Sequence, residues 1–260
     1  MNKDFIKLTT FAHAEDLIHL FIGGSELHGA KVMGTDDKDY YGLYIEAPDN
    51  IIGLYPSPHF VWSTADNSRR NGPADIDVTF YGLKKWAEMA AKGNPTALHF
   101  LYSPREGGEW NDIVPALKRC VISRASAKQF RGFVDAQMGR LLGTRGRGKK
   151  GQRPELEQKF GYDVKAGMHA VRLLGECIEL MQTGEITLPR PDRQLLIQVR
   201  TGDWSLERLS SCVNQLFNDL KEAEEKSFLP AEADRIELSH IITNAYRAHW
   251  TQKENLNEVQ

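Results

Sequence analysis

Cysteine is scarce in this chain: Cys120, Cys177 and Cys212 are the only three in 260 residues. Odd in number and widely spaced, they exclude a disulfide framework and a Cys-x-x-Cys metal site, and they suit a reducing compartment. Long apolar runs are also missing. None approaches the ~18 residues of a membrane span, and Met1-Asn2-Lys3-Asp4 is not the start of a secretion signal. A cytoplasmic protein with no membrane partner is the expectation. Neither sign of charge dominates, with 33 Lys and Arg against 35 Asp and Glu and a formal net charge of −2. No global field therefore draws the chain to nucleic acid, and any such attraction must be local. Internal repeats are absent. What is present is a globular composition, 41% apolar and 26% charged, on a chain long enough for one large domain or two modest ones.

Residues 1–120 read as mixed α/β. Leu17 to Ile22 is a short buried strand ended by Gly23-Gly24. Tyr40 to Glu46 is rich in β-favouring residues and stops before Pro48, and His59 to Ser63 makes another short strand. From Asp75 to Tyr81 the alternation is clean. Ile76, Val78 and Phe80 point toward a core, and Asp75, Asp77, Thr79 and Tyr81 point away from it. Leu83 to Ala91 turns helical and ends at Gly93-Asn94-Pro95, after which Thr96 to Leu101 suits helix or strand. From about Ser123 the texture changes. Phe130, Phe133, Val134, Gln137, Met138 and Leu141 follow a helical period. Val164, Met168, Val171, Gly175 and Ile178 form the core stripe of a long helix ending near Gly184. Leu206–Lys226 and Ala231–Trp250 read as two more helices. The expected architecture is an α/β front half and an all-helical back half, divided near residue 120.

Three carboxylates and a glycine turn carry the chemistry. After a buried strand, Gly23-Gly24-Ser25 lets backbone N–H groups approach an anion and adds a hydroxyl donor; taken alone, it also reads as an ordinary tight turn. A dozen residues on, Asp37 and Asp39 share a face of an extended segment with Cα atoms ~6.6 Å apart. That spacing suits a magnesium pair ~3.5–4 Å apart, ions that favour carboxylates, water and phosphate oxygens. A solvated acidic turn remains the plainer alternative. Asp77 supplies a third carboxylate on an alternating strand, placed to bind an ion and take a proton from an attacking hydroxyl. Asp75 lies on the same face, and periodicity cannot choose between the two, although its place at the strand's start suits a solvated cap.

Two cationic groups follow. Lys165, His169 and Arg172, at i, i+4 and i+7, line one side of a helix. They are turned ~100° from the Val164–Met168–Val171 stripe. Such a boundary row serves a cleft or a plain solvated face. Arg145, Arg147, Lys149, Lys150 and Arg153 form a glycine-rich basic loop, read either as a grip on an RNA backbone or as a solvated charge run. Gly143 to Lys150 imitates a phosphate-binding P-loop. It fails because Lys150 replaces the Ser or Thr that must meet Mg²⁺ and because a helix, not a strand, precedes it.

Taken in order along nearly the whole chain, three stretches resemble the polymerase-β-type nucleotidyltransferase superfamily, and within it the RNA-repair-associated (RlaP-type) nucleotidyltransferases. They are Gly24-Ser25 with Asp37 to Tyr44, then Asp77 to Tyr81 with Gly93-Asn94-Pro95 and His99 to Leu101, then Arg153 to Leu156 with Lys159 to Lys165 and His169 to Leu174. Two positions depart from the family. Glu26-Leu27 stands where a basic or aromatic residue is common, and His99-Phe100 where a glutamate is usual. The resemblance implies an α+β fold: a polymerase-β-like palm with a mixed sheet at 1–120, and a helical C-terminal domain at 121–260 carrying the basic loop at 143–153. It implies that Asp37, Asp39 and Asp77 are both the catalytic residues and the ligands of two Mg²⁺ ions, with Mn²⁺ as a substitute. Gly24 and Ser25 would hold the β- and γ-phosphates of an NTP, and Lys165, His169 and Arg172 would meet its triphosphate. The implied reaction is an EC 2.7.7-type transfer of NMP to a hydroxyl, with an RNA 3′ end in repair or tailing as the favoured acceptor and RNA as partner. AMPylation of a protein hydroxyl is one alternative, and a non-catalytic RNA- or partner-binding module is another.

Overall fold

The computed structural model describes residues 6, 7, 9–32, 37–65, 72, 75–105, 109–142 and 153–258. Four strands, β1 (Leu17–Ile22), β2 (Lys38–Tyr44), β3 (His59–Ser63) and β4 (Ile76–Gly82), form one sheet in the order β1-β2-β4-β3. β2 and β4 run parallel, and the outer pairs are antiparallel. The fold is thus α+β with a mixed sheet, as expected. Short helices α1 (Gly24–Leu27) and α2 (Pro48–Ile51) interrupt the strands, and α3 (Leu83–Ala90), α4 (Pro95–Tyr102) and α5 (Glu109–Val121) follow them. The rest is helical: α6 (Ala125–Leu141), α7 (Pro154–Phe160), α8 (Val164–Thr183), α9 (Arg193–Thr201), α10 (Leu206–Lys226) and α11 (Arg235–Glu258). None of the helices searched is long and apolar enough to cross a membrane.

Local signals explain where several elements begin. The segment from Thr96, open between helix and strand in the sequence, is helical because Asn94 Oδ1 accepts from Ala97 N at 3.2 Å with Pro95 at the first helical position. The stop signal Gly93-Asn94-Pro95 that ends α3 therefore also starts α4. α11 begins four residues later than expected, where the Asp234 carboxylate takes the N–H groups of Ile236 and Glu237 at 3.1 and 3.0 Å. It runs on past Trp250 to Glu258 because no glycine or proline follows to stop it.

Alternation in β4 is as expected, but its meaning differs. Val78 and Phe80 enter a small aromatic cluster with Ile6, Phe11 and Tyr44. The main core lies on the opposite face, where Tyr41, Leu43 and Tyr81 meet the helices. The carboxylate face is therefore apolar over most of its length and polar only at one end. α8 also departs from a single stripe. Val164, Met168 and Val171 are buried, but so are Leu173, Leu174, Cys177, Leu180 and Met181, because α6, α9 and α10 wrap the helix. One apolar cluster runs from Phe21 through α8 to Tyr246. α11 returns to the sheet half, with His249 Nε2 3.0 Å from Asp16 Oδ1 and Trp250 Nε1 donating to Glu46 O at 2.9 Å.

Two core histidines give the fold a pH dependence. His19 is buried between Phe21 and Trp110, with Nε2 2.7 Å from Ser103 Oγ. Burial, with Arg105 adding to it, lowers its pKa to about 3. His28 is likewise lowered to about 3, by burial first and then by Arg172. Folded pKa values below the unfolded value of ~6.5 mean that the unfolded chain binds more protons, so stability is lost as pH falls below ~6.5. Between pH 7 and pH 5 the expected loss is about 2 kcal/mol for each histidine. Glu46, whose carboxyl is raised by burial, opposes this in the same direction of titration. Urea midpoints at the two pH values check the outcome, and a flat profile contradicts it.

Candidate active site

Strand directions gather the polar groups at one end of the sheet. β1 runs toward that end while β2 and β4 start from it. The end of β1 is tied to the start of β2 where Gly23 N donates to Asp39 O at 2.7 Å. Parallel pairing sets Asp39 level with Asp77, and level residues on neighbouring parallel strands, ~4.8 Å apart, share a face. Asp37 joins them from just before β2. Carboxylate oxygens of Asp37, Asp39 and Asp77 lie within 4.8 Å of one another, and all three residues are half-buried. This all-oxygen set suits a hard divalent cation such as Mg²⁺.

The glycine turn is shaped by these carboxylates. Gly24 has φ +57°, and a Cβ there would stand 1.9 Å from Asp39 Oδ2. No other residue fits without moving the aspartate. Gly24→Ala is expected to cost about 1–2 kcal/mol in backbone strain alone, with the displacement of Asp39 in addition. A denaturant midpoint equal to wild type would show instead that the turn relaxes freely.

Asp75, left open by periodicity, has a different setting from Asp77. It is buried rather than solvated, and its carboxylate accepts from Gly72 N at 2.7 Å and Thr64 Oγ1 at 3.0 Å. These bonds close the connection between β3 and β4, and Asp75 stands outside the carboxylate trio.

A cavity of about 240 Å³ opens over the turn. Gly23, Gly24, Ser25, Asp37 and Asp39 line it together with Lys165, His169 and Arg172 of α8. Asp77 belongs to the carboxylate trio but not to this lining. Burial pushes the His169 imidazole well below its ordinary range, and Arg172, Lys165, Arg153 and Arg200 act in the same sense. His169 is thus neutral at pH 7 and offers a hydrogen bond without charge. Of the basic loop, Arg145, Arg147, Lys149 and Lys150 lie outside the described residues. Arg153 directly precedes α7, with Nη1 3.1 Å from Asp163 Oδ2.

Sequence reasoning gave no role to Glu176 or to two histidines, His28 and His99, that line the same cavity. Glu176, one turn beyond Arg172, is fully buried and takes Arg172 Nη1 on both oxygens at 2.8 and 2.9 Å. His28 Nδ1 and His99 Nε2 approach the same carboxylate at 3.0 and 3.1 Å. Burial alone would raise the Glu176 carboxyl, but Arg172, His99 and His28 hold it well below the usual carboxylate range. Two histidines and a glutamate have the donor set of a zinc site. Here, however, the guanidinium already occupies both oxygens, and a dication beside it would meet like charge. The cluster reads as an anchor for Arg172. The i, i+4 spacing of Arg172 and Glu176 was the one available signal. Arg200 of α9 also reaches the cavity, and nothing in its local sequence marks it.

Comparison with known proteins identifies the family of the chain. A family model described as RlaP, RNA repair pathway DNA polymerase beta family, matches residues 3–258. An uncharacterized 38.9 kDa protein in the nrdC-mobD intergenic region of Enterobacteria phage T4 is 27% identical over 119 residues, 44% of this chain. The match spans about a third (35%) of the phage protein's length. A nucleotidyltransferase-like protein from Exiguobacterium sibiricum aligns over 81% of this chain and 67% of its own, at 12% identity and a TM-score of 0.26, a likeness too low to assign anything from. With nearly every residue inside the family match, the chain belongs to the RlaP family, the RNA-repair-pathway branch of the polymerase-β-like nucleotidyltransferases.

Proposed function

We propose that the protein is a Mg²⁺-dependent nucleotidyltransferase of the EC 2.7.7 type that moves NMP from an NTP to an acceptor hydroxyl, with an RNA 3′ end as that acceptor. The observation that carries this reading is the trio Asp37, Asp39 and Asp77 beside Gly24-Ser25, with Lys165, His169 and Arg172 lining the same cavity as the turn. The trio would hold the metal: its donors are all oxygen, they lie close together, and Gly24 lacks the Cβ that would displace Asp39. When bound, Mg²⁺ supplies charge neutralisation of the triphosphate and a more acidic acceptor hydroxyl.

The remaining work falls to the chain. Ser25 Oγ and the backbone at Gly24 meet the β- and γ-phosphates. Lys165 and Arg172 balance their charge, and neutral His169 donates a hydrogen bond. Asp77, outside the cavity lining yet within the trio, takes the proton of the attacking hydroxyl as pyrophosphate leaves. Catalysis is then mostly positioning and electrostatics. The sheet half, residues 1–120, acts as the palm, and residues 121–260 close over the nucleotide. Arg145, Arg147, Lys149, Lys150 and Arg153 grip the RNA backbone, in keeping with the family's RNA-repair description. Incubation with each labelled NTP and Mg²⁺, first with total RNA and then with protein, tests the reading. Label in RNA is expected. Label in protein alone overturns the acceptor, and no Mg²⁺-dependent label in either overturns the enzyme.

A further inference from the structure

A second cavity, about 370 Å³, adjoins the first and shares Lys165 and Arg200 with it. Its floor is apolar: Val32, Leu156 and Val164 line it together with the half-buried ring of Phe160. That ring is held in place by a missing side chain. Gly202 has φ +83°, and a Cβ there would stand 2.2 Å from the Phe160 ring. Lys159 and Arg153 add two more cations to the lining, Arg153 with Nη1 on Asp163 Oδ2 at 3.1 Å, and Glu155 is the acid among the lining residues. Lys159 is exposed, and its Nζ stands 4.8 Å above the Phe160 ring centre.

We propose that this second cavity seats the terminal nucleotide of a single-stranded RNA acceptor, its base on Phe160 and its phosphate on Lys159 and Arg153. The inference rests on the proposed function and extends it to the acceptor. Size argues for a separate seat. The first cavity, about 240 Å³, falls below the ~300–1,000 Å³ of ordinary ligand pockets, so a triphosphate leaves no room there for an acceptor nucleotide. Charge decides which nucleotide the second cavity takes. The nucleoside of an NTP is uncharged and has no use for extra cations, whereas a strand end brings phosphodiesters. An aromatic platform ringed by cations is the sequence-tolerant arrangement for single strands. Lys165 and Arg200, common to both cavities, would bring the strand end beside the triphosphate. A base arriving on Phe160 displaces the Lys159 ammonium toward the strand's phosphate.

The test uses the full chain and a short 5′-labelled single-stranded RNA, read by fluorescence anisotropy. Binding of ATP with Mg²⁺ is followed in parallel by calorimetry. Phe160→Ala and Lys159→Ala should each weaken RNA binding about tenfold or more, Phe160→Tyr should restore it, and ATP binding should be unchanged. Lys159→Ala should also flatten the salt dependence, by about 0.7 in the slope of log K against log salt. RNA affinity that is undetectable in wild type, or equal in all variants, overturns the proposal. So does loss of ATP binding in place of RNA binding, which would give the cavity to the NTP's nucleoside. Failure of the function itself looks different: Asp39→Asn would transfer label like wild type, whatever Phe160 does to RNA.

Discussion

Asp39→Asn is expected to lower nucleotide transfer about a thousand-fold or more while the folded protein stays as stable as wild type or becomes more so. The asparagine keeps the shape that Gly24 accommodates but removes one charge from a trio whose oxygens lie within 4.8 Å of one another. Under the proposed function that charge helps hold the metal. Charge stabilisation of this kind contributes several kcal/mol in the transition state, and about 4 kcal/mol is a thousand-fold in rate. For folding the sign reverses, because like charges gathered at a functional site oppose stability. Asp75→Asn is the control, since it lies two residues from Asp77 on the same strand face. Its carboxylate is committed to Gly72 N and Thr64 Oγ1, so the cost should appear as about 1–3 kcal/mol of stability, with far less effect on the rate per folded molecule. Thermal melts and turnover with labelled NTP separate the two. Full activity in Asp39→Asn, or a rate loss in Asp75→Asn matching that of Asp39→Asn, would sink the assignment of the trio.

The contrast between Asp75 and Asp77 also shows how far the sequence could be read. Alternation placed both on one face, and a strand's own period contains nothing that separates them. The distinction came from partners far along the chain: Thr64 for Asp75, and for Asp77 the parallel register with Asp39. Strand extents were legible where glycine or proline punctuates an apolar run, as at Leu17–Ile22 and His59–Ser63. The row Lys165, His169 and Arg172 was legible because helical spacing alone puts three residues on one side. The core face of β4 was not, because both faces of the sheet are covered and the carboxylates occupy only one end of the larger interface. Glu176 and Arg200 stayed hidden for a related reason. Each is a single charged residue on an amphipathic helix, and its meaning lies in a neighbour from another element.

Glu176→Gln should be among the most destabilising single changes in the helical half. The side chain keeps its volume, so no cavity forms. What is lost is the charge facing Arg172, which remains buried at 8% exposure. The same guanidinium lies close enough to His169 to help hold that imidazole neutral, as do Lys165 and Arg200. Without the carboxylate, the Arg172 guanidinium loses the two oxygens to which its Nη1 donates. Breaking a buried pair from one side costs about 3–5 kcal/mol, against a total stability for such domains of about 5–15 kcal/mol. A urea midpoint near wild type would show that Arg172 does not depend on Glu176. The double variant Arg172→Met with Glu176→Gln separates anchoring from function. Removing both charges should recover much of the stability, and the shortfall from additivity measures the coupling. Under the proposed function, that recovered protein should still bind NTP poorly, because the cation meant for the triphosphate has gone. A double variant that is both stable and tight-binding would leave Arg172 a structural role alone.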